Sequence, residues 1–161
     1  MKVVYLPTLK TNGCNLHLGA AVGFDLQCAE ILASMCDEVV FYMDDAQLES
    51  YKKTIKKLAA KIAVKVETNF EKAIKGTSYA VGDFSNYLFA YMLATKNPVV
   101  NYLPIYTSVN LGDSDKIIAM MSSSGMVATS KQELISCFAR LDEQGGVARE
   151  NIEKFLRGNI I

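Results

Sequence analysis

Ser78 to Leu103, SYAVGDFSNYLFAYMLATKNPVVNYL, constrains the fold of this chain more than any other stretch. Tyr79 to Val81 is a short apolar run, and Gly82-Asp83-Phe84-Ser85-Asn86 is a polar turn. Tyr87 to Ala94 is apolar enough for a helix packed in a core, and Pro98 opens a second apolar run, Val99 to Leu103. Two strands joined through a buried helix make a βαβ unit, and such units build parallel sheets. The turn falls at the carboxyl end of its strand and the amino end of its helix, where open α/β sheets bind ligands. A helix start also offers unpaired N–H groups and the positive end of a dipole, which suit phosphate. Asp and Ser at that place are ordinary N-caps as well, so the turn has a structural reading beside the functional one.

The rest of the chain repeats the alternation. Lys2 to Leu6 reads as a first strand, closed by Pro7. Thr8 to Gly23 shows no period and reads as a loop, long against the usual ~2–6 residues of a βα connection. Phe24 to Cys36 carries a helical stripe of Leu26, Ala29, Ile31, Leu32 and Met35. Glu38 to Met43 is a second strand. Asp44-Asp45 open a helix over Ala46 to Ala60, whose Lys52, Lys53, Lys56 and Lys57 read as a solvated face that complements the helix dipole. Ile62 to Val66 is a third strand, and Thr68-Asn69-Phe70-Glu71 fits a capping box for a short helix ending near Gly76. Beyond Leu103, Pro104 to Lys116 is turn-rich, Ile117 to Met121 is a strand or one helical turn, and Ser122 to Gly125 is a loop. Met126 to Ala128 is a short strand, and Ser130 to Glu133 a second capping box for a helix over Gln132 to Leu141. Gly145-Gly146 breaks that helix, and Ala148 to Arg157 forms the last one. The expected class is α/β: one Rossmann-like domain over residues 1–161, a three-layer αβα sandwich with a mainly parallel sheet of five to six strands.

Composition closes off several functions. Lys plus Arg equals Asp plus Glu at 17 each, so no global field recruits nucleic acid or an anionic membrane. No run approaches the roughly 18 apolar residues of a membrane span, and MKVVYLPT meets Pro7 too soon for a signal peptide. Cys14, Cys28, Cys36 and Cys137 show no CxxC spacing and the chain has a single histidine, so no metal site is expected. Cys28 and Cys137 lie among apolar helical residues and read as core thiols. These features place the chain in the cytoplasm.

Sequence motifs for common chemistries are missing. There is no G-x-S-x-G elbow, no P-loop and no G-x-G-x-x-G fingerprint, and no acidic pair follows the first strand. His17 lies in the long first loop; a surface or structural role is the plain reading, and acid, base or phosphate contact the functional one. What remains is a phosphate-type site at Asp83, Ser85 and Asn86, with Thr8, Lys10 and Thr11 from the loop after the first strand. Lys10 would supply the positive charge a pyrophosphate requires, Ser85 and the helix-start amides would donate hydrogen bonds, and Asp83 would cap the helix or hold a sugar hydroxyl. Such a set binds a nucleotide more naturally than it breaks a bond.

FEKAIKGTSYAVGDFSNYLFAYMLATKNPVVNYLP resembles the carboxyl-terminal half of GT-B transferases, in particular the CDP-glycerol glycerophosphotransferase group that builds teichoic-acid-like and capsule polymers. GDFSN stands where that family has a DYSS turn, and NPVVNYLP where it has a proline-led KPxxFY strand. VVYLPTLKTN is similar to its ILYAPTWRDN, with Thr8 on the threonine and Lys10 on the arginine; SGMVATSKQELISCF and NIEKFLRG are similar to its later segments. The resemblance implies binding of a nucleotide-linked donor such as a CDP- or UDP-linked one, with no separate cofactor. It also implies a Rossmann-like acceptor domain on the amino-terminal side, for which 161 residues leave no room. A membrane-peripheral location would then come through the rest of a parent enzyme. Three positions depart from the family: FYMDDAQ lacks its basic-His-Pro motif, Asn86 replaces the second serine, and Ala90 stands where an acidic residue is usual. Donor binding, rather than catalysis by this chain alone, is what the resemblance supports.

Two other readings stand beside it. A nucleoside deoxyribosyltransferase-like enzyme has a run resembling the same stretch, but its chemistry uses a glutamate on the helix, and Tyr87 to Thr95 holds no carboxylate. A non-catalytic α/β binding or regulatory module that self-associates is the third. In it Tyr87, Phe89, Tyr91, Tyr102 and Tyr106 would stack on a base or a partner instead of filling the core.

Overall fold

The computed structural model describes residues 1–10, 18–83, 85–102, 125–144 and 146–160. Thr11, Cys14, His17, Phe84, Tyr106 and the expected elements between 104 and 124 lie outside the described residues. The chain divides into two compact units, Met1–Ser78 and Tyr79–Ile161.

The first unit runs β1 (Lys2–Leu6), α1 (Leu18–Met35), β2 (Glu38–Tyr42), α2 (Glu49–Ala59), β3 (Lys65–Glu67) and α3 (Phe70–Ile74). β2 lies between β1 and β3 and pairs with both in parallel, with Val3 opposite Val39, Tyr5 opposite Phe41 and Phe41 opposite Val66. In β1 and in β2 the last four residues are all buried, without the polar alternation of a half-wet strand. Unbroken apolar strands are what a parallel sheet covered on both faces requires. α2 buries Tyr51, Ile55 and Ala59 at four-residue spacing, and leaves Lys53, Lys56 and Lys57 exposed as the solvated face expected.

Several boundaries move from their expected places. α1 begins at Leu18, within the stretch that reads as loop: two glycines there, each worth about 1 kcal/mol against a helix, do not outweigh the surrounding Leu and Ala. Asp44 does not open α2. Its Oδ1 accepts from the Ala46 N–H at 2.7 Å and its carbonyl from Gln47 N–H at 3.1 Å, a local turn that postpones the helix to Glu49. β3 starts at Lys65 because Ala60–Ile62 form a 3-10 turn and Ala63 adopts a left-handed φ of 56°. α3 is capped by Asn69, whose Oδ1 accepts from Lys72 N–H at 3.0 Å, and not by Thr68. Gly76, at φ 74°, lets the chain turn away afterwards.

The second unit runs β4 (Tyr79–Gly82), α4 (Asn86–Thr95), β5 (Val99–Tyr102), β6 (Gly125–Ala128), α5 (Lys131–Gln144) and α6 (Gly146–Ile160). β5 lies between β4 and β6, both parallel to it. α5 buries Leu134, Cys137, Phe138 and Leu141, an i, i+3, i+4, i+7 stripe. Its capping box is shared differently from the simple pattern. Ser130 Oγ accepts from Glu133 N–H at 3.2 Å, while Glu133 Oε2 accepts from Thr129, N–H at 2.6 Å and hydroxyl at 2.7 Å. Those two bonds hold the Glu133 carboxyl below the usual carboxylate range. Tyr79 donates its hydroxyl to Asp142 of α5, and burial together with that carboxylate pushes its pKa well up.

Every strand pairing described within the two units is parallel and strands alternate with helices. The class is α/β and Rossmann-like, as the alternation implies, with six strands among the described residues. Cys28 and Cys137 are buried thiols. Among the described residues no helix is long and apolar enough to cross a membrane.

Candidate functional site

The turn after β4 is built as the βαβ pattern requires. β4 delivers the chain at Gly82, Asp83 is half-buried, and Ser85 takes an extended φ, ψ of −67°, 139° before α4 begins at Asn86. Ser85 is 2% exposed, and its Oγ accepts from Tyr87 N–H at 3.1 Å. That is an N-cap, so the structural reading of this serine is met directly. Its hydroxyl sits in the packing and serves the helix. Asn86, the first helical residue, is exposed. α4 has no acidic residue in its first turn, so nothing on the helix itself neutralises the positive end of its dipole. The helix is held down by Leu88, Tyr91 and Met92, and ends where Lys96 turns left-handed at φ 58° with its N–H on the Met92 carbonyl.

Thr8 and Lys10 belong to the first unit, where the chain leaves β1. Lys10 does not offer its ammonium to the outside: the residue is 2% exposed. Its Nζ donates to the Thr8 carbonyl at 3.0 Å and to Thr8 Oγ1 at 2.7 Å, and lies 3.4 Å from Asp25 Oδ2. Asp25 of α1, 2% exposed, also accepts the hydroxyls of Tyr5 and Tyr51, each at 2.5 Å. Gln47 closes the cluster, accepting from Lys10 N–H at 2.6 Å and donating to the Thr8 carbonyl at 3.0 Å. A buried charge is tolerable only when paired and hydrogen-bonded, and Lys10 is both. Its charge is matched inside the unit by Asp25.

The site residues expected from sequence therefore fall into three groups. Asp83, Ser85 and Asn86 stand together at the start of α4. Thr8 and Lys10 stand together in a polar cluster of the other unit. Thr11 and His17 lie outside the described residues. Asp25, Tyr5, Tyr51 and Gln47 were not singled out by sequence reasoning. One signal did exist for Asp25: it stands three, four and seven residues before Cys28, Ala29 and Leu32, and a carboxylate on such a core-facing stripe needs a cation.

No protein-family model matches this chain, and no curated protein does. The site therefore has to be read from its own chemistry. An exposed helix start at the end of a parallel strand, with the Tyr87 and Leu88 amides taken by Ser85 and no acidic residue in the first turn, can hold an anion through the positive end of its dipole. The Lys10–Asp25 cluster, its charges already paired, can fix Thr8 and Lys10 where the chain leaves β1.

Proposed function

We propose that this chain binds the diphosphate of a nucleotide-linked donor at the amino end of α4, as the donor-side half of a GT-B-type glycosyl or glycerophosphate transferase. The observation that carries the reading is the position of α4: Asn86, its first residue, is exposed one step after a Ser85 cap, directly after the carboxyl end of β4. In open α/β sheets that is the ligand edge, and the positive end of the helix dipole favours phosphate there. Order along the chain supports the family: GDFSN before an apolar helix, then a proline-led strand. Lys10 is left out of the proposed contacts because Asp25 already balances it. Donor binding is the proposed role; in the family resembled, a second Rossmann-like domain handles the acceptor.

The test is Asn86→Asp in a thermal-shift titration with CDP and UDP. At ligand about 100 times Kd, one-site binding stabilises by about 2.7 kcal/mol, which raises Tm by roughly 5–10 °C for a chain of this size. An aspartate in the first turn favours the helix by about 0.3–1 kcal/mol, so the free variant should melt no lower than the wild type. The same charge repels a diphosphate, and the ligand-induced rise should disappear. A wild type indifferent to both nucleotides, or a variant that keeps the full rise, would overturn the proposal.

A further inference from the structure

β5 is four residues long and all four are buried, yet one of them is an amide. Asn101 has 0% exposure, and neither its Oδ1 nor its Nδ2 has a hydrogen-bond partner among the described residues. An unmet buried polar group costs about 1–3 kcal/mol. A position that asked only for packing in a parallel strand would hold Val, Ile or Phe, as Val99 and Val100 do beside it. A residue set against both the local preference and the hydrogen-bond rule marks a place where something other than stability has to be met.

Register locates that place. Asn101 lies opposite Gly82 of β4 on one side and Val127 of β6 on the other. In-register residues of parallel strands project to one face and alternate along each strand. Asn101 therefore shares a face with Gly82, opposite to the face on which Tyr79 meets Phe138 of α5 at 5.4 Å between ring centroids. Gly82 has no side chain to crowd the amide from the β4 side. It is also the last residue of β4, and the chain passes from it through Asp83 to the Ser85 cap of α4. Asn101 thus sits one strand spacing, about 4.8 Å, from the strand end that leads into the helix start.

We infer that Asn101 reads the base of the bound nucleotide, through a hydrogen-bonded pair with a neutral ring edge that presents a donor beside an acceptor. The inference rests on the α4 reading and adds the part of the ligand beyond the diphosphate. The carboxamide itself selects the ligand class. It has donors on Nδ2 and acceptor lone pairs on Oδ1. A phosphate offers only acceptors and would leave Oδ1 unmet; a metal ion would leave Nδ2 unmet. A pyrimidine edge, N3 and N4 of cytosine or N3–H and O4 of uracil, meets both at once, as amide side chains do on base edges elsewhere.

Isothermal titration of CDP and of inorganic pyrophosphate into wild type, Asn101→Leu and Asn101→Val separates the two readings. Leu keeps the branched outline of Asn, and Val is the strand-favouring second choice should Leu overfill the site. Both variants should bind pyrophosphate as the wild type does, bind CDP weaker by roughly ten-fold or more, and melt at or above the wild-type temperature without ligand. If both variants bind CDP within about two-fold of wild type, or both melt lower without ligand, the role of Asn101 is overturned while the α4 reading stands. A wild type that binds neither ligand overturns the α4 reading, and the base contact with it.

Discussion

Asp25→Ala is expected to lower the unfolding free energy by about 3–5 kcal/mol, the usual effect of removing one partner of a buried ion pair. Asp25 takes two tyrosine hydroxyls at 2.5 Å and faces Lys10 Nζ at 3.4 Å, with both charged residues 2% exposed. Truncation takes the Asp25 carboxylate away from an ammonium held in the interior beside the Thr8 oxygens and the Tyr51 ring, 5.6 Å away. It also removes the carboxylate that accepts from the Tyr5 and Tyr51 hydroxyls. Pairing Asp25→Leu with Lys10→Met removes both charges and should restore part of the loss, because the penalty lies in the unpaired charge and not in the missing attraction. Urea unfolding at neutral pH measures both. A single variant within about 1 kcal/mol of wild type would mean that the pair is solvated and worth what a surface pair is worth.

Leu88→Ala is expected to cost about 2–5 kcal/mol through lost burial and the cavity left behind. α4 is apolar nearly all round, so its sequence does not say which side faces the core; the structure does. Leu88, Tyr91 and Met92 have 0% exposure whereas Leu93 is 39% exposed. Leu93→Ala is the matched control and should stay within about 0.5 kcal/mol of wild type. Equal losses at the two positions would mean that the helix is rotated relative to the packing described.

The fold was legible where residue type and punctuation agreed. Lys2–Leu6, an apolar run closed by Pro7, and Val99–Tyr102, one opened by Pro98, appear with ends within a residue, and the helix expected over Gln132 to Leu141 runs from Lys131 to Gln144. Boundaries failed where a side chain bonded the backbone locally: Asp44 holds a turn in place of a helix start, and Asn69 takes the capping position that Thr68 also fits. Leu18 to Gly23 failed for another reason: its two glycines read as loop, yet the Leu and Ala around them let α1 begin at Leu18. At the site, the helix start of α4 could be read from GDFSN, but the burial of Lys10 could not. A lysine in a loop reads as a surface charge; only the arrangement of Asp25, Tyr5 and Tyr51 around it reveals a paired interior one. Asn101 was hidden for the opposite reason, as a single polar letter inside a strand-like run.

The most direct measurement of the central claim is an NMR titration of isotope-labelled protein with CDP, following backbone amides. The account predicts the largest shifts at Gly82, Asp83 and Asn86 to Leu88, saturating with one dissociation constant, and little change at Tyr5, Lys10, Asp25 and Tyr51. Shifts concentrated in that polar cluster of the first unit, or no saturable shift at the start of α4, would contradict it.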